Sequence, residues 1–312
     1  MADPRIENVG PPALGNYVRM RAIKVTELPP HPDFGPQQSL GTAPALPTAP
    51  ELPAFVSEVL EEANTFMTAY MPFYFKVKSS NKSSPPSAAD VELSSVEVKG
   101  REINKVAPAT ASGRTAETWF ARTSVHENMS KQGTASWEEF DAGLRVNHSQ
   151  NEMAYTPDVY DAHEVVSWNA YLEETLQGQL LGEWQDVTAC VMEMVHKIPL
   201  LDDRMFPVLV ITARKVVPEP QFIVVQIPVE TTYMPTAKYN QKGAKVTAGM
   251  YVSVERGELI DGGTKVKWQM ATASDAKGAL PMAIQKIGVP GAVVKDVGLF
   301  IEWCAKMRSG KA

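Results

Sequence analysis

Apolar side chains recur every three or four residues near both ends of the chain, which predicts two amphipathic helices. The first begins at Pro53, a favourable early-helix position, and its apolar positions run from Phe55 to Tyr70. The second lies near the C-terminus, with apolar positions from Val293 to Met307. The sequence GVPG at 288–291 precedes this stripe and should break or sharply kink the helix.

The middle of the chain alternates apolar and polar positions in short runs separated by Gly, Pro or Asp, which is typical of β-strands. In one run Val266, Trp268 and Met270 share a face, so this strand should have one buried and one wet side. The predicted strands are 91–99, 117–127, 160–171, 184–196, 205–217, 221–230, 249–257 and 264–273. A short helix capped by Ser136 and Glu139 interrupts them.

A helix, antiparallel strands with a helical insert and a long closing helix form an α+β order. A strongly curved sheet facing the last helix would enclose an apolar cavity between them. This arrangement is a physical route to a site for a small molecule.

Proline divides the chain into a leader and a domain. Eleven of the 24 prolines fall before residue 54, so residues 1–51 should form a proline-rich, largely extended leader outside the core. Residues 17–25 within it could add an edge strand. We expect residues 52–308 to form a single domain, with a flexible loop near 79–90 where Ser and Pro dominate.

Composition narrows the classes of function. The 312 residues carry 30 basic and 36 acidic side chains, a net charge of −6, which gives no electrostatic footprint for nucleic acid. No apolar run reaches the ~18 residues of a membrane span, so no stable membrane insertion is expected. Two cysteines and the lack of a secretory signal suit a reducing compartment, and the predicted location is cytoplasmic.

Motifs for known chemistries are missing from the sequence. It holds no P-loop, dinucleotide-binding glycine fingerprint, nucleophile elbow or His-Glu-x-x-His pair. The five histidines have no close i, i+4 partners, so neither a metal site nor a cofactor is predicted. Whether the protein is an enzyme stays open.

Two strands carry candidate site residues. In 117–127, Phe120, Arg122, Ser124 and His126 share a face. If this face meets the cavity, Arg122 could orient a polar ligand group and His126, the best catalytic candidate, could move a proton. Alternatively, the opposite face fills the core and this one is solvated.

The strand 184–196 poses the same question. One face carries Cys190, Met192, Met194 and His196, an adaptable wall because thioethers fill irregular space. The opposite face carries valines together with Glu193, which argues against its complete burial. The other candidate ligand contacts are Trp268, Met270, Val297 and Ile301.

Several sequence words resemble those of the START-like helix-grip proteins, and more closely the fungal START-like family of unknown function. They are IKVTELPPHP at 23–32, TWFARTSVH at 118–126, GTASWEEF at 133–140, EMVHKIP at 193–199, RMFPVLV at 204–210 and VVQIPV at 224–229. The resemblance spans most of residues 20–308. It implies a helix-grip fold with a hydrophobic cavity, and it implies no known reaction or catalytic residues.

These patterns favour non-covalent binding of a hydrophobic small molecule that is lipid-like or polyketide- or terpenoid-like. A cyclase or isomerase of fungal secondary metabolism on the same cavity is the alternative. A third hypothesis is an interaction protein whose leader docks a partner, since PxxP spacings occur at 29–32 and from 44 to 53. The sequence names no protein partner.

Overall fold

The computed structural model describes residues 13–34, 50–100, 116–198, 202–232, 234–239, 246–275 and 282–310. The helices within this part are α1 Leu52–Thr65, α2 Met71–Tyr74, α3 Trp137–Phe140, α4 His148–Tyr155, α5 Asn169–Leu176 and α6 Met282–Arg308. The strands are β1 Lys76–Lys82, β2 Val91–Lys99, β3 Ala116–Glu127, β4 Val159–Ser167, β5 Gln185–His196, β6 Asp203–Lys215, β7 Gln221–Pro228, β8 Val246–Ala248, β9 Met250–Ile260 and β10 Lys265–Asp275. Wide helical turns at Phe66–Tyr70 and Asp141–Arg145 extend α1 and α3.

The ten strands form one large sheet in the order β1-β2-β3-β10-β9-β7-β6-β5-β4, and each neighbouring pair is antiparallel. The short β8 pairs in parallel with β6 off this path. The predicted α+β class is confirmed, and the eight predicted strands correspond to β2–β7, β9 and β10. The strand predicted at 160–171 is too long, because β4 ends at Ser167 and α5 follows. The mostly exposed β1 lacks the apolar alternation that would have revealed it.

Apolar cores cover both faces of this sheet. One core joins it to α1 and α5, and Trp119 and Ala121 of β3 belong to it. The other core joins the opposite face to α3 and α6 and includes Trp268 and Phe300. Because successive side chains of a strand point to opposite faces, a central strand of this sheet is buried on both sides.

The prediction that the leader lies outside the core is wrong for residues 13–34. Its side chains Leu14, Val18, Met20, Ile23 and Leu28 are buried in the core on the α1 face. The Ile23 N–H donates to the Pro228 carbonyl at 2.8 Å, a single bridge rather than the edge strand expected at 17–25. This packing uses bends and two single 3₁₀ turns, Val25–Glu27 and Pro32–Phe34, which have no apolar periodicity to reveal them in the sequence. Residues 1–12 and 35–49, with Pro44 and Pro47, lie outside the described residues.

A carboxylate of α1 holds the start of this segment in place. The Glu62 side chain accepts the backbone N–H groups of Asn16, Tyr17 and Val18 at 2.8, 2.7 and 2.6 Å. Three charge-assisted hydrogen bonds replace the helix or strand partners that this irregular backbone lacks.

The stretch predicted as a flexible loop near 79–90 is anchored to α6 instead. Strand β1 extends to Lys82, and the buried Ser84 hydroxyl accepts the Gly298 N–H at 2.8 Å. The same hydroxyl donates to the Lys295 carbonyl at 3.3 Å. Gly298 permits this approach because a Cβ there would lie 2.3 Å from the Pro85 carbonyl oxygen.

Helix α6 runs without a break from Met282 to Arg308, with Pro290 inside it. The break predicted at 288–291 is therefore absent. A Cβ added at Gly288 or Gly291 would meet nothing within 4 Å outside the helix.

We expect Gly298→Ala to lower the free energy of unfolding by about 1–3 kcal/mol, since the added methyl overlaps backbone of the anchored loop. The matched control is Gly291→Ala in the same helix, where the new Cβ contacts nothing within 4 Å. There a gain of up to about 1 kcal/mol is expected from helix propensity. Urea denaturation measures both, and equal effects at the two positions would contradict the anchor.

Candidate functional site

A small cavity of about 40 Å³ lies between the sheet and the helices α4 and α6. Its lining residues are Arg122, His148, Glu152, Tyr155, Thr156, Gln226, Tyr251, Ser253, Glu255, Trp268, Met270 and Asp296. The sequence predicted an apolar cavity, whereas most of these side chains are polar or charged. The volume has room for about three water-sized groups, at roughly 10–15 Å³ for each.

The register of four strands places the floor of the cavity. Met270 of β10 stands opposite Arg122 of β3 on one side and Glu255 of β9 on the other. Ser253 of β9 stands opposite Gln226 of β7. Since side chains two residues apart share a face, the alternate positions of β9 and β10 complete the floor.

A buried ion pair spans this floor. Arg122 Nη2 donates to Glu255 Oε1 at 3.1 Å, and Trp268 Nε1 donates to the same oxygen at 2.8 Å. The Arg122 guanidinium carbon lies 3.8 Å from the centroid of the Trp268 ring. Arg122 is only 2 % exposed, so its charge depends on Glu255 and on the indole face for compensation.

Two donors of Arg122 are unused. Its Nε and Nη1 atoms are buried and have no hydrogen-bond partner. A guanidinium stacked on an indole keeps its N–H bonds in its own plane, so the ring does not satisfy them. An unpaired buried donor costs about 1–3 kcal/mol, which a suitable acceptor in the cavity would recover.

Side chains of α4 and β7 close one side of the cavity. His148 Nδ1 donates to the Leu144 carbonyl at 2.6 Å, and Gln226 Nε2 donates to His148 Nε2 at 2.6 Å. The Glu152 carboxylate is 3.5 Å from Gln226 Nε2 and also 3.5 Å from His148 Nε2.

Asp296 brings a third carboxyl group to the cavity from α6. Burial raises its pKa to about 7, with Glu152 and Glu255 adding to the rise and Arg122 opposing it. The nearby phenol of Tyr155 also has a pKa well above its ordinary value, first through burial and then through Glu152. The Asp296 carboxyl group and the Tyr155 phenol therefore lose their protons at a higher pH than they would in water.

Of the ten residues predicted for the site, Arg122, Trp268 and Met270 line the cavity. His126 is 2 % exposed but lies among Phe140 and Trp268, and its Nε2 atom bonds Ser124 Oγ at 2.8 Å. Burial, and then Arg122, lower its pKa to about 4. The alternative that this stripe of β3 is solvated is wrong, because α3 and α6 cover it.

Five other predicted residues lie in the apolar core around the cavity, outside its lining. Met192, Met194, Val297 and Ile301 are buried there, and Cys190 packs against them. Burial, and then Glu164, raise the pKa of the Cys190 thiol to about 12, which does not favour a nucleophile.

At the end of β5, His196 packs edge-on against Phe206, and burial lowers its pKa. The expectation that Glu193 keeps the opposite face of β5 from burial is wrong. Glu193 is fully buried, and it accepts the Lys238 and Tyr239 N–H groups at 2.8 and 3.1 Å.

Sequence reasoning missed nine of the lining residues. Tyr251, Ser253 and Glu255 sit at alternate positions of a predicted strand, so pairing this strand with 264–273 would have placed Glu255 opposite Met270 and the other two on the same face. His148, Glu152 and Tyr155 belong to α4, whose weak amphipathic pattern gave no signal. Asp296 lies next to the predicted apolar stripe of α6, and only the tertiary fold aims it inward.

In the described ranges, no group of three or more His, Cys, Asp or Glu side chains could hold a metal ion. None of the helices described is both long and apolar enough to cross a bilayer.

We expect Arg122→Met to lower the free energy of unfolding by about 3–5 kcal/mol, because it leaves Glu255 buried without a counter-charge. Replacing both residues, in Arg122→Met/Glu255→Leu, should recover most of that loss. The exposed pair of Lys306 with Glu302 is the control, and Lys306→Met should change stability by at most about 1 kcal/mol. Chemical denaturation tests this, and a double variant no more stable than the single one would contradict it.

Asp296 should make stability depend on pH. Its pKa is about 7 when folded against an ordinary 3.8, so the folded protein holds a proton that the unfolded chain has lost. The stabilisation of the folded state by this bound proton is complete below pH 3.8 and is lost as the pH rises to about 7. We therefore expect Asp296→Asn to flatten the fall in stability over this window, measured by urea denaturation at several pH values. Parallel pH profiles for the two proteins would contradict the assignment.

Comparison with solved structures identifies the fold. Human STARD10 matches with a TM-score of 0.53 at 11% sequence identity, over 80% of this chain and 81% of that chain. The structure named human StAR-related lipid transfer protein 5 matches with a TM-score of 0.50 at 14% identity, over 80% of this chain and 97% of that chain. The predicted START-like helix-grip fold is confirmed, and at these identities the likeness concerns the fold alone.

Comparison by sequence identifies the family. Among curated proteins nothing matches. One protein family matches residues 119–304, which is more than half of the chain and runs from β3 through most of α6. The chain therefore belongs to the family described as protein of unknown function (DUF3074).

Proposed function

We propose that this protein binds a hydrophobic small molecule non-covalently between the sheet and α6, with the polar end of the ligand on Arg122. The observation that carries the proposal is the pair of unused donors on this buried arginine, which lines the cavity. A permanently buried cation with unmet hydrogen bonds is costly unless a ligand or water meets them. Ligand sites typically combine an apolar wall with a few such polar groups.

The apolar part of the ligand requires more room than about 40 Å³. Met192 and Met194 on β5 and Val297 and Ile301 on α6 form the surrounding apolar core. Methionine side chains repack at low cost, and α6 is the element that covers this core. We infer that α6 moves outward on binding and that these four side chains then contact the hydrophobic chain.

The fold supports a ligand of lipid-like type. One of the matching structures is a lipid transfer protein by name, and the apolar core beneath α6 suits a lipid-like, polyketide-like or terpenoid-like molecule. A cytoplasmic location and a fungal origin stay predictions from the sequence, as does the absence of a nucleic-acid partner.

Titration with a fatty alcohol that carries an environment-sensitive fluorophore tests the proposal. We expect Arg122→Lys to weaken binding by about 10- to 100-fold, the scale of a charged hydrogen bond, because lysine lacks the planar set of donors. Arg256→Lys is the matched control, a buried arginine on the opposite face that bonds Gln221 and Glu258. His126→Gln should change little, since His126 does not line the cavity.

Near-UV circular dichroism must first show that each variant is folded. Absence of saturable binding by the wild-type protein would sink the proposal, and equal affinities for the Arg122 and Arg256 variants would remove Arg122 from it.

A cyclase or isomerase is the second candidate, and Asp296 is the observation that favours it. A carboxyl group with a pKa of about 7 is suited to general acid–base chemistry at neutral pH. It lies in the cavity, unlike His126, on which the sequence had placed this role. Incubation with polyketide or terpenoid probes, followed by mass spectrometry, would reveal a changed product, and its loss in Asp296→Asn would favour the enzyme.

The hypothesis that the proline-rich leader binds a partner protein is less well supported. The His31 ring packs against Trp168 and Tyr171, and Trp168 Nε1 donates to the Pro30 carbonyl at 3.1 Å. The PxxP sequence at 29–32 is therefore engaged by its own domain.

A further inference from the structure

The cavity is lined by more carboxyl groups than cations. Arg122 pairs with Glu255, and both ring nitrogens of His148 are engaged, Nδ1 by the Leu144 carbonyl and Nε2 by Gln226 Nε2. Glu152, which lies 3.5 Å from His148 Nε2, comes from α4, and Asp296 comes from α6. No described lysine or arginine pairs with these two carboxyl groups, and a cation beside them would favour their ionised forms, so the cavity favours a positively charged occupant.

The cavity also offers donors to an acceptor. Arg122 Nε and Nη1 have no partner, and an ammonium group cannot serve them because it has no lone pair. The occupant must therefore carry an oxygen acceptor close to its positive charge. The phenol rings of Tyr155 and Tyr251 complete the lining and can also face a cation.

Size limits the head group further. About 40 Å³ admits roughly three water-sized groups, such as one ammonium and one or two hydroxyls. A phosphate ester with its own ammonium group is larger, and it would bring negative charge next to three carboxyl groups. A metal ion is not supported, since no group of described side chains is placed to hold one.

We propose that the ligand is an amphiphilic amino alcohol, whose ammonium group lies between Glu152 and Asp296 and whose hydroxyl oxygen accepts from Arg122. This inference rests on the proposed function, of which it specifies the ligand class. The hydrocarbon chain then leaves the cavity towards the apolar core beneath α6.

A matched pair of short amphiphiles tests the inference by isothermal titration calorimetry. The probes are 2-aminooctan-1-ol and octane-1,2-diol, which differ only in an amine replacing a hydroxyl and which dissolve without micelles at low millimolar concentration. We expect the amino alcohol to bind at least about tenfold more tightly, since its ammonium group gains charge-assisted hydrogen bonds that the diol lacks.

Two double variants test whether Glu152 and Asp296 cause the preference for the amino alcohol over the diol. Glu152→Gln/Asp296→Asn should bring the ratio of the two affinities close to one. The control is Glu173→Gln/Glu174→Gln, which removes the same charge from exposed positions of α5 and should keep the full ratio. Glu152→Gln alone, which should lower the ratio in part, serves if the double variant does not fold.

The outcomes separate this inference from the proposed function. Equal binding of both probes by the wild-type protein would overturn the amino alcohol and leave the proposed function standing. Binding of neither probe, together with failure of the fluorescent fatty alcohol to bind, would overturn both. A preference that survives in the Glu152 and Asp296 double variant would overturn the assignment of these two carboxyl groups.

Discussion

The contact between Arg122 and Glu255 joins two strands that do not pair with each other. Strand β10 lies between β3 and β9, and the arginine crosses it over the face of Trp268 to reach the carboxylate. A cation this deep is tolerated only with a counter-charge at hydrogen-bond distance. The indole hydrogen bond of Trp268 to Glu255 and the unused donors of Arg122 both belong to this one buried contact.

Burial of both sheet faces explains which predictions succeeded. The alternation of apolar positions predicted β2–β7, β9 and β10 close to their observed bounds, apart from the end of β4, because strand geometry depends on local pattern. The same alternation could not tell which face of β3 lines the cavity, since Trp119 packs towards α1 while His126 packs against Phe140 of α3. When both faces of a strand are buried, the alternation of apolar positions does not say which face lines the cavity.

The polar residues that line the cavity could not be predicted from the sequence for a different reason. Glu152, Asp296 and Glu255 are far apart in the chain and belong to α4, α6 and β9. Their convergence depends on how two helices cross the sheet, which no local spacing encodes. The apolar side chains that were predicted from the sequence, such as Met192 and Ile301, surround the cavity instead. An apolar stripe indicates burial in a core, and it does not by itself indicate contact with a cavity. The packing of residues 13–34 escaped notice because Glu62 supplies partners that normally come from regular structure.

The hydrogen bonds of Ser84 connect helix α6 to the loop between β1 and β2. The hydroxyl bonds both Gly298 and Lys295, about one turn of helix, and the Pro85 carbonyl fills the space where a side chain would be. Helix α6 therefore cannot shift near Gly298 without either carrying the β1–β2 connection with it or breaking both bonds. A displacement at the buried end of a ligand would in this way reach the edge strand β1, on the outer margin of the sheet.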